Sequence, residues 1–180
     1  MLGRTDGAAF SAKGLDQLRH LSEALAGEPV AVIQSSPRVR ALKTAEAIAA
    51  PHGVKVEIHP ALDELDYGEW SGLTFETLRD CPEWRSWNNR RSECCPPKGE
   101  TMLALQERML RHLSGLRDEH IGKTIVIVSH AEPIRAVLMH AVGLSLDEYA
   151  KVDIPPAAIA RLHLSGRAAW ASDTLKAIFA

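Results

Sequence analysis

Two observations in the sequence predict an α/β fold built on a mostly parallel sheet. Residues 124–128 are five consecutive residues, four of them β-branched aliphatics, and an apolar-periodic run follows Pro133. This pattern indicates a buried parallel strand, a tight turn and a helix. Residues 30–33 form a second short apolar strand that also runs into a turn and a helix. Strands that alternate with helices along a chain favour parallel pairing.

The first half of the chain gives a regular series of elements. Ser11 is expected to cap a first helix that ends at Gly27. Ser36, as N-cap, and Pro37, as first helical residue, predict a second helix that runs to about Ala50. Period-two alternation over residues 54–59 predicts a strand, and an acidic loop follows it over residues 62–72.

The second half is more uneven. Residues 74–99 show no readable pattern, whereas apolar residues with helical spacing precede the central strand: Met102, Leu105, Met109, Leu113 and Leu116. A helix is expected over residues 133–142. Residues 159–164 and 167–171 flank Ser165-Gly166 and predict a terminal hairpin.

Composition limits the class of protein. The 180 residues are 46% hydrophobic and 24% charged, with no linker-like stretch, so we expect a single domain over residues 1–180. The net charge of −2 argues against a nucleic-acid or anionic-membrane surface. Neither a membrane span nor a signal peptide is recognisable, which favours the cytoplasm. Cys81, Cys94 and Cys95 are expected to be reduced thiols.

Three polar residues follow predicted strands and converge on a candidate anion site. His130 comes directly after the central strand, at the sheet edge where open α/β folds bind ligands. Arg40 lies in the first turn of the second helix, where its guanidinium and free backbone N–H groups could hold a phosphoryl group. Glu64 lies among apolar residues that could raise its pKa enough for proton donation. Alternatively, His130 caps a turn, Arg40 is a surface charge and Glu64 caps a loop.

Four motifs carry a resemblance to a known family. They are Ser35-Ser36-Pro37-x-x-Arg40-Ala41-x-x-Thr44-Ala45, Leu62-x-Glu64-x-x-x-Gly68-x-Trp70-x-Gly72, Gly99-Glu100-Thr101 and Val128-Ser129-His130. In this order they resemble the histidine phosphatases, the phosphoglycerate mutase-like superfamily, over essentially the whole chain. The resemblance implies a three-layer α/β/α fold and phosphoryl transfer through a histidine, without metal or cofactor.

The resemblance also implies roles for individual residues. Arg40 and His130 match positions that bind the phosphoryl oxygens, and Glu64 matches the proton donor to the leaving group. Arg4, in a loop similar to that after the family's first motif, and Ala131 are expected to line the substrate site. The implied partner is a small phosphorylated substrate or inorganic phosphate, and a homodimer is left open. The compact interval from Glu64 to His130 favours a phosphatase over a mutase, by analogy.

The chain also departs from the family pattern. The family begins with a central strand ending in Arg-His-Gly, whose histidine is the nucleophile, and this sequence begins after that point. We therefore expect an upstream Arg-His-Gly segment, without which the 180 residues are inactive. One alternative is that the protein is a catalytically inactive relative that binds phosphorylated ligands or a partner protein. The other is that the chain is a remnant that folds poorly. Two smaller departures are Ala131, where glycine is usual in the family, and Lys98, where the family often has glycine.

Overall fold

A computed structural model describes residues 1–7, 9–164 and 177–178 of the chain. Its central sheet has three parallel strands: β1 (Val30–Ser35), β2 (Val56–Ile58) and β3 (Thr124–Val128). The strand order is β2-β1-β3, with Ile33 opposite Val56 on one side and Val126 on the other. The predicted parallel sheet is confirmed.

Six helices are described, at these bounds: α1 (Ala12–Leu25), α2 (Val39–His52), α3 (Phe75–Leu78), α4 (Pro82–Asn89), α5 (Met102–Glu119) and α6 (Ala131–Ala141). Ser11 caps α1 by accepting from the Gly14 N–H, as predicted. None of the helices in the described ranges is long and apolar enough to cross a bilayer. All three cysteines are free thiols.

Helices cover both faces of the sheet. Val126 and Val128 pack with α1 and α2 in a core that contains Leu25, Ile33 and Ile48. Ile125 and Ile127 point to the opposite face and pack with α5 and α6. The alternation of β3 side chains between the two cores produces the three-layer arrangement that the resemblance implied.

The start of α2 corrects the sequence prediction. The helix begins at Val39 with Arg38 at the N-cap position, two residues later than Ser36 and Pro37 suggested. The reason is that the Ser36 Oγ accepts from the N–H of Arg38, two residues on. This local turn holds residues 36–38 outside the helix.

The terminal hairpin also differs from the prediction. A two-residue strand, β4 (Ile159–Ala160), pairs antiparallel with β5 (Ala177–Ile178). The partner predicted at 167–171 lies outside the described residues. The stretch with no readable pattern contains α3 and α4. Leu78 of α3 and Trp87 of α4 lie in a buried cluster with Tyr67 and Trp70.

Two loops that lead to the site meet backbone to backbone. The Glu100 N–H donates to the Asp66 carbonyl, and the Glu69 N–H donates to the Pro97 carbonyl. A Cβ on Gly68 would lie 2.1 Å from the Pro97 oxygen, and one on Gly99 would lie 2.4 Å from the Asp66 oxygen. The glycines of the second and third motifs therefore permit a contact that no other residue allows.

Candidate active site

His130 lies where β3 ends and α6 begins, at the carboxyl edge of the sheet. It is only 8% exposed, and its Nε2 lies 2.7 Å from the Ser36 Oγ. Burial, followed by the positive charges of Arg40 and Arg38, lowers the pKa of His130 to about 3. The imidazole is therefore neutral at pH 7.

Arg40 is held by the loop at the start of the chain. Its Nη1 donates to the Thr5 carbonyl at 3.0 Å, and its Nη2 donates to the Gly3 carbonyl at 2.6 Å. Arg38 donates to the carbonyl between them, that of Arg4, at 2.6 Å. Two guanidinium groups thus bind three consecutive carbonyls. This leaves Arg40 three further N–H donors for an anion.

The N-terminus of α2 is not free, which corrects an expectation drawn from the sequence. The Asp6 carboxylate accepts from the Val39 N–H at 3.1 Å, and the Ser36 Oγ accepts from the Arg38 N–H at 3.2 Å. Asp6 therefore caps the helix from another part of the chain. A phosphoryl group at this turn would meet a carboxylate as well as arginines.

Glu64 lies on the loop between two 3-10 turns, Pro60–Leu62 and Gly68–Trp70. Burial is the main cause that raises the pKa of its carboxyl to about 7; the N–H of Leu65, which donates to Oε1 at 2.8 Å, opposes this effect. The negative charge of Glu132 raises the pKa further, whereas the positive charge of Arg40 lowers it. The group can therefore carry or release a proton near neutral pH.

The structure brings the three central candidates together. Arg40 is near enough to lower the pKa of both His130 and Glu64, although the three residues come from α2, the end of β3 and a loop. Ala131 is adjacent, as the first residue of α6. Their roles in binding and catalysis stay predictions.

Arg4 lies beside the site with its guanidinium already engaged. Its Nε donates to the Glu64 carbonyl at 3.0 Å, Nη1 contacts the Asp66 carboxylate at 3.3 Å and Nη2 contacts Glu100 at 3.0 Å. These contacts support the loop that carries Glu64. Direct binding of substrate by Arg4 stays a prediction.

The two departures from the family pattern differ in their physical effect. Ala131 is helical, so its backbone does not require glycine. Lys98 has a φ of +56°, one of two positive values at non-glycine residues in the described ranges. A lysine there is strained, and glycine would relieve the strain.

The sequence profile of the histidine phosphatase superfamily (branch 1) matches residues 1–176. The chain belongs to this superfamily. Among curated relatives, phosphoserine phosphatase 1 of Hydrogenobacter thermophilus is 30% identical over 160 residues, which is 88% of this chain and 76% of the relative. The adenosylcobalamin/alpha-ribazole phosphatase of Escherichia coli is 25% identical over 137 residues, which is 75% of this chain and 68% of that one.

Solved structures agree on the fold of this superfamily member. YhfR of Bacillus stearothermophilus superposes with a TM-score of 0.85 at 22% identity, covering 99% of this chain and 87% of that one. A mycobacterial glucosyl-3-phosphoglycerate phosphatase superposes with a TM-score of 0.78 at 24% identity, covering 92% and 85%. At these identities the likeness concerns the fold alone.

Sequence reasoning missed several charged residues that line the candidate site. Asp63 lies 3.0 Å from the Arg38 Nε and 3.4 Å from the Ser36 Oγ. Glu132 is buried and pairs with Arg91 at 2.9 Å and Arg135 at 2.7 Å. The only sequence signal for Asp63 and Glu132 was that each is a charged residue close to a motif residue.

Proposed function

We propose that this chain carries the phosphate-binding and proton-donating parts of a metal-independent phosphomonoester hydrolase that acts through a phosphohistidine. Arg40 and His130, with Arg4 and Ala131 beside them, bind the phosphoryl group, and Glu64 protonates the leaving oxygen. The observation that carries the proposal is the buried Glu64, with a pKa of about 7, grouped with Arg40 and a neutral His130. The phosphatase relatives support the same reaction class.

We place the nucleophilic histidine on an Arg-His-Gly segment upstream of Met1. One feature that supports this is the open side of β3, which pairs only with β1 among the described residues although residues 125–128 are all apolar. An apolar strand with one unpaired edge is a ready place for another strand. The domain so completed acts on small phosphorylated substrates in the cytoplasm, as a monomer or a homodimer.

Binding is tested by titrating phosphate or vanadate into the chain by calorimetry. Arg40→Gln and His130→Ala should each weaken binding about 10- to 100-fold, because each removes a hydrogen bond to a charged group worth about 1.5 to 3 kcal/mol. Arg19→Gln is the matched control, since it removes the same charge from an exposed position on α1. Unchanged affinity in both site variants would remove the site assignment.

Turnover is tested by reading the gene upstream of the Met1 codon and assaying the longer chain that it encodes. If an in-frame strand ending in Arg-His-Gly lies upstream of the Met1 codon, the longer chain should hydrolyse an aryl phosphate in excess EDTA and form an acid-labile phosphoenzyme. The 180-residue chain should do neither. Loss of activity on EDTA addition that zinc or magnesium restores would contradict the mechanism.

A second candidate is a relative that binds phosphorylated ligands or a partner protein without turnover. It is favoured by one observation: Arg38, Arg40 and His130 are all fixed by contacts within this chain, so an anion site can form without the nucleophile. Phosphate binding together with cooperative melting of the 180-residue chain as a monomer, and no hydrolysis by any longer chain from the gene, would select this candidate.

A further inference from the structure

Arg108 of α5 occupies the inside of the loop that carries Glu64. Its Nη1 donates to the Ala61 carbonyl at 2.6 Å, and its Nη2 donates to the carbonyls of Asp63 at 2.8 Å and Glu64 at 3.2 Å. Ala61 lies in the first 3-10 turn, and Asp63 and Glu64 lie in the loop that follows it, so these carbonyls have no strand ladder or α-helix to satisfy them. The guanidinium therefore replaces the secondary structure that the loop lacks.

Glu100 fixes the guanidinium itself. Its carboxylate accepts from the Arg108 Nε at 2.7 Å and from Nη2 at 3.0 Å, and it also accepts from Arg4 at 3.0 Å. Arg108 and Glu100 are 18% and 15% exposed, so this paired contact is largely shielded from water. A two-point arginine–carboxylate contact holds the guanidinium plane in one orientation.

We propose that Arg108 is a positioning residue for Glu64, which it holds in the buried site by binding the backbone of its loop. The proposal rests on the proposed function for calling Glu64 the proton donor. Arg108 acts through main-chain carbonyls and does not bond to the Glu64 carboxyl. Only a planar fork with several N–H groups reaches three carbonyls and a carboxylate together, so lysine cannot replace it.

Two effects of Arg108 on Glu64 act in opposite directions and can be separated. As a nearby positive charge, Arg108 lowers the pKa of the Glu64 carboxyl. As the support of the loop, it maintains the burial that raises this pKa. Removal of Arg108 should therefore raise the pKa if only its charge matters, and lower the pKa if the loop opens and water reaches the carboxyl.

The test is an NMR titration of the 13C-labelled Glu64 side chain in the full chain. In Arg108→Gln the pKa should fall by about one pH unit or more from about 7 toward the ordinary 4.5, and Arg108→Lys should do the same. Arg111→Gln is the matched control, because it removes the same charge from an exposed position on the same helix. The control should leave the pKa unchanged.

A pKa that rises or stays constant in Arg108→Gln would overturn the proposal, and so would normal behaviour of Arg108→Lys. If Arg108→Gln fails to fold, Arg108→Lys provides the milder variant: it keeps the positive charge but cannot make the forked contacts, and the pKa of Glu64 should still fall. The measurement reads protonation of Glu64 and not turnover. Failure of the proposed hydrolase activity would therefore leave this result interpretable.

Discussion

The Nε2 of His130 lies 2.7 Å from the Oγ of Ser36, although the residues are 94 positions apart. The contact joins the turns that follow two adjacent parallel strands, β3 and β1. Because His130 is neutral, its ring needs only one polar partner on this side, and Ser36 can either donate or accept.

Ser36→Ala should remove this partner and leave a buried nitrogen unsatisfied. We expect the free energy of unfolding to fall by about 1 to 3 kcal/mol, measured by urea denaturation at pH 7. In the unaltered chain, 15N NMR should show His130 neutral until the pH approaches about 3. Ser129→Ala is the control, because its hydroxyl binds the Leu62 carbonyl instead. A control that changes the titration of His130 as much as Ser36→Ala would contradict the assignment.

Glu64→Gln should change how stability depends on pH. Between about 4.5 and 7 the folded chain retains a proton on Glu64 that the unfolded chain releases, so the unaltered chain loses stability as pH rises through this window. The variant has no such proton to retain, so it does not lose this stability. Its free energy of unfolding relative to that of the unaltered chain should therefore rise by up to about 3 kcal/mol from pH 4.5 to pH 8. Urea unfolding across this range checks it. Glu76→Gln, on an exposed residue, should show no such rise.

Gly68→Ala should be far more damaging than Gly72→Ala. Both glycines have positive φ, so both substitutions cost about 1 to 2 kcal/mol of backbone strain. Only at Gly68 would the new Cβ meet a backbone oxygen, whereas nothing lies within 4 Å at Gly72. Separation of the two loops would also break hydrogen bonds, for a total of about 3 to 5 kcal/mol. If thermal melts show similar shifts in melting temperature for the two variants, the contact between the loops is not required for stability.

Lys98→Gly should stabilise the chain by about 1 kcal/mol, because glycine adopts the positive φ without strain. The ion pair lost with Glu69 is on the surface and contributes little. Lys98→Ala removes the same ion pair but keeps the strain, so it should give no gain. The measurement is the denaturant midpoint of each variant, compared where the free energy of unfolding has the same slope against denaturant concentration.

The sequence predicted elements where one local pattern dominated. The apolar run of β3, the Ser11 cap of α1 and the spacing of Leu105, Met109 and Leu113 on α5 each specify their element over a few residues. The start of α2 was wrong because Ser36 has two competing uses, a helix cap and a turn, and His130 and Arg38 select the second. That choice depends on contacts from distant parts of the chain.

Motifs marked some residues of the candidate site, whereas no sequence signal marked the groups that only tertiary contacts bring there. Arg108 has the pattern of any polar residue on an amphipathic helix, since the carbonyls that it binds lie 44 to 47 positions away. Glu132 likewise follows the histidine of a motif, but its pairing with Arg91 requires the turn after α4 to lie against the start of α6. Such groups become visible only when the elements are assembled.

The cap that Asp6 provides to α2 from another part of the chain affects the order in which the protein folds. The contacts of Asp6 with Val39 and of Gly3 with Arg40 span 33 and 37 positions, and they connect a loop without secondary structure to the first turn of a helix. Closing such a loop costs chain entropy before the contacts compensate for it. The body of α2 can therefore form early by local contacts, whereas its first turn and Arg40 become ordered only when the N-terminal loop docks. We therefore expect Arg40 to reach its folded position among the late steps of folding.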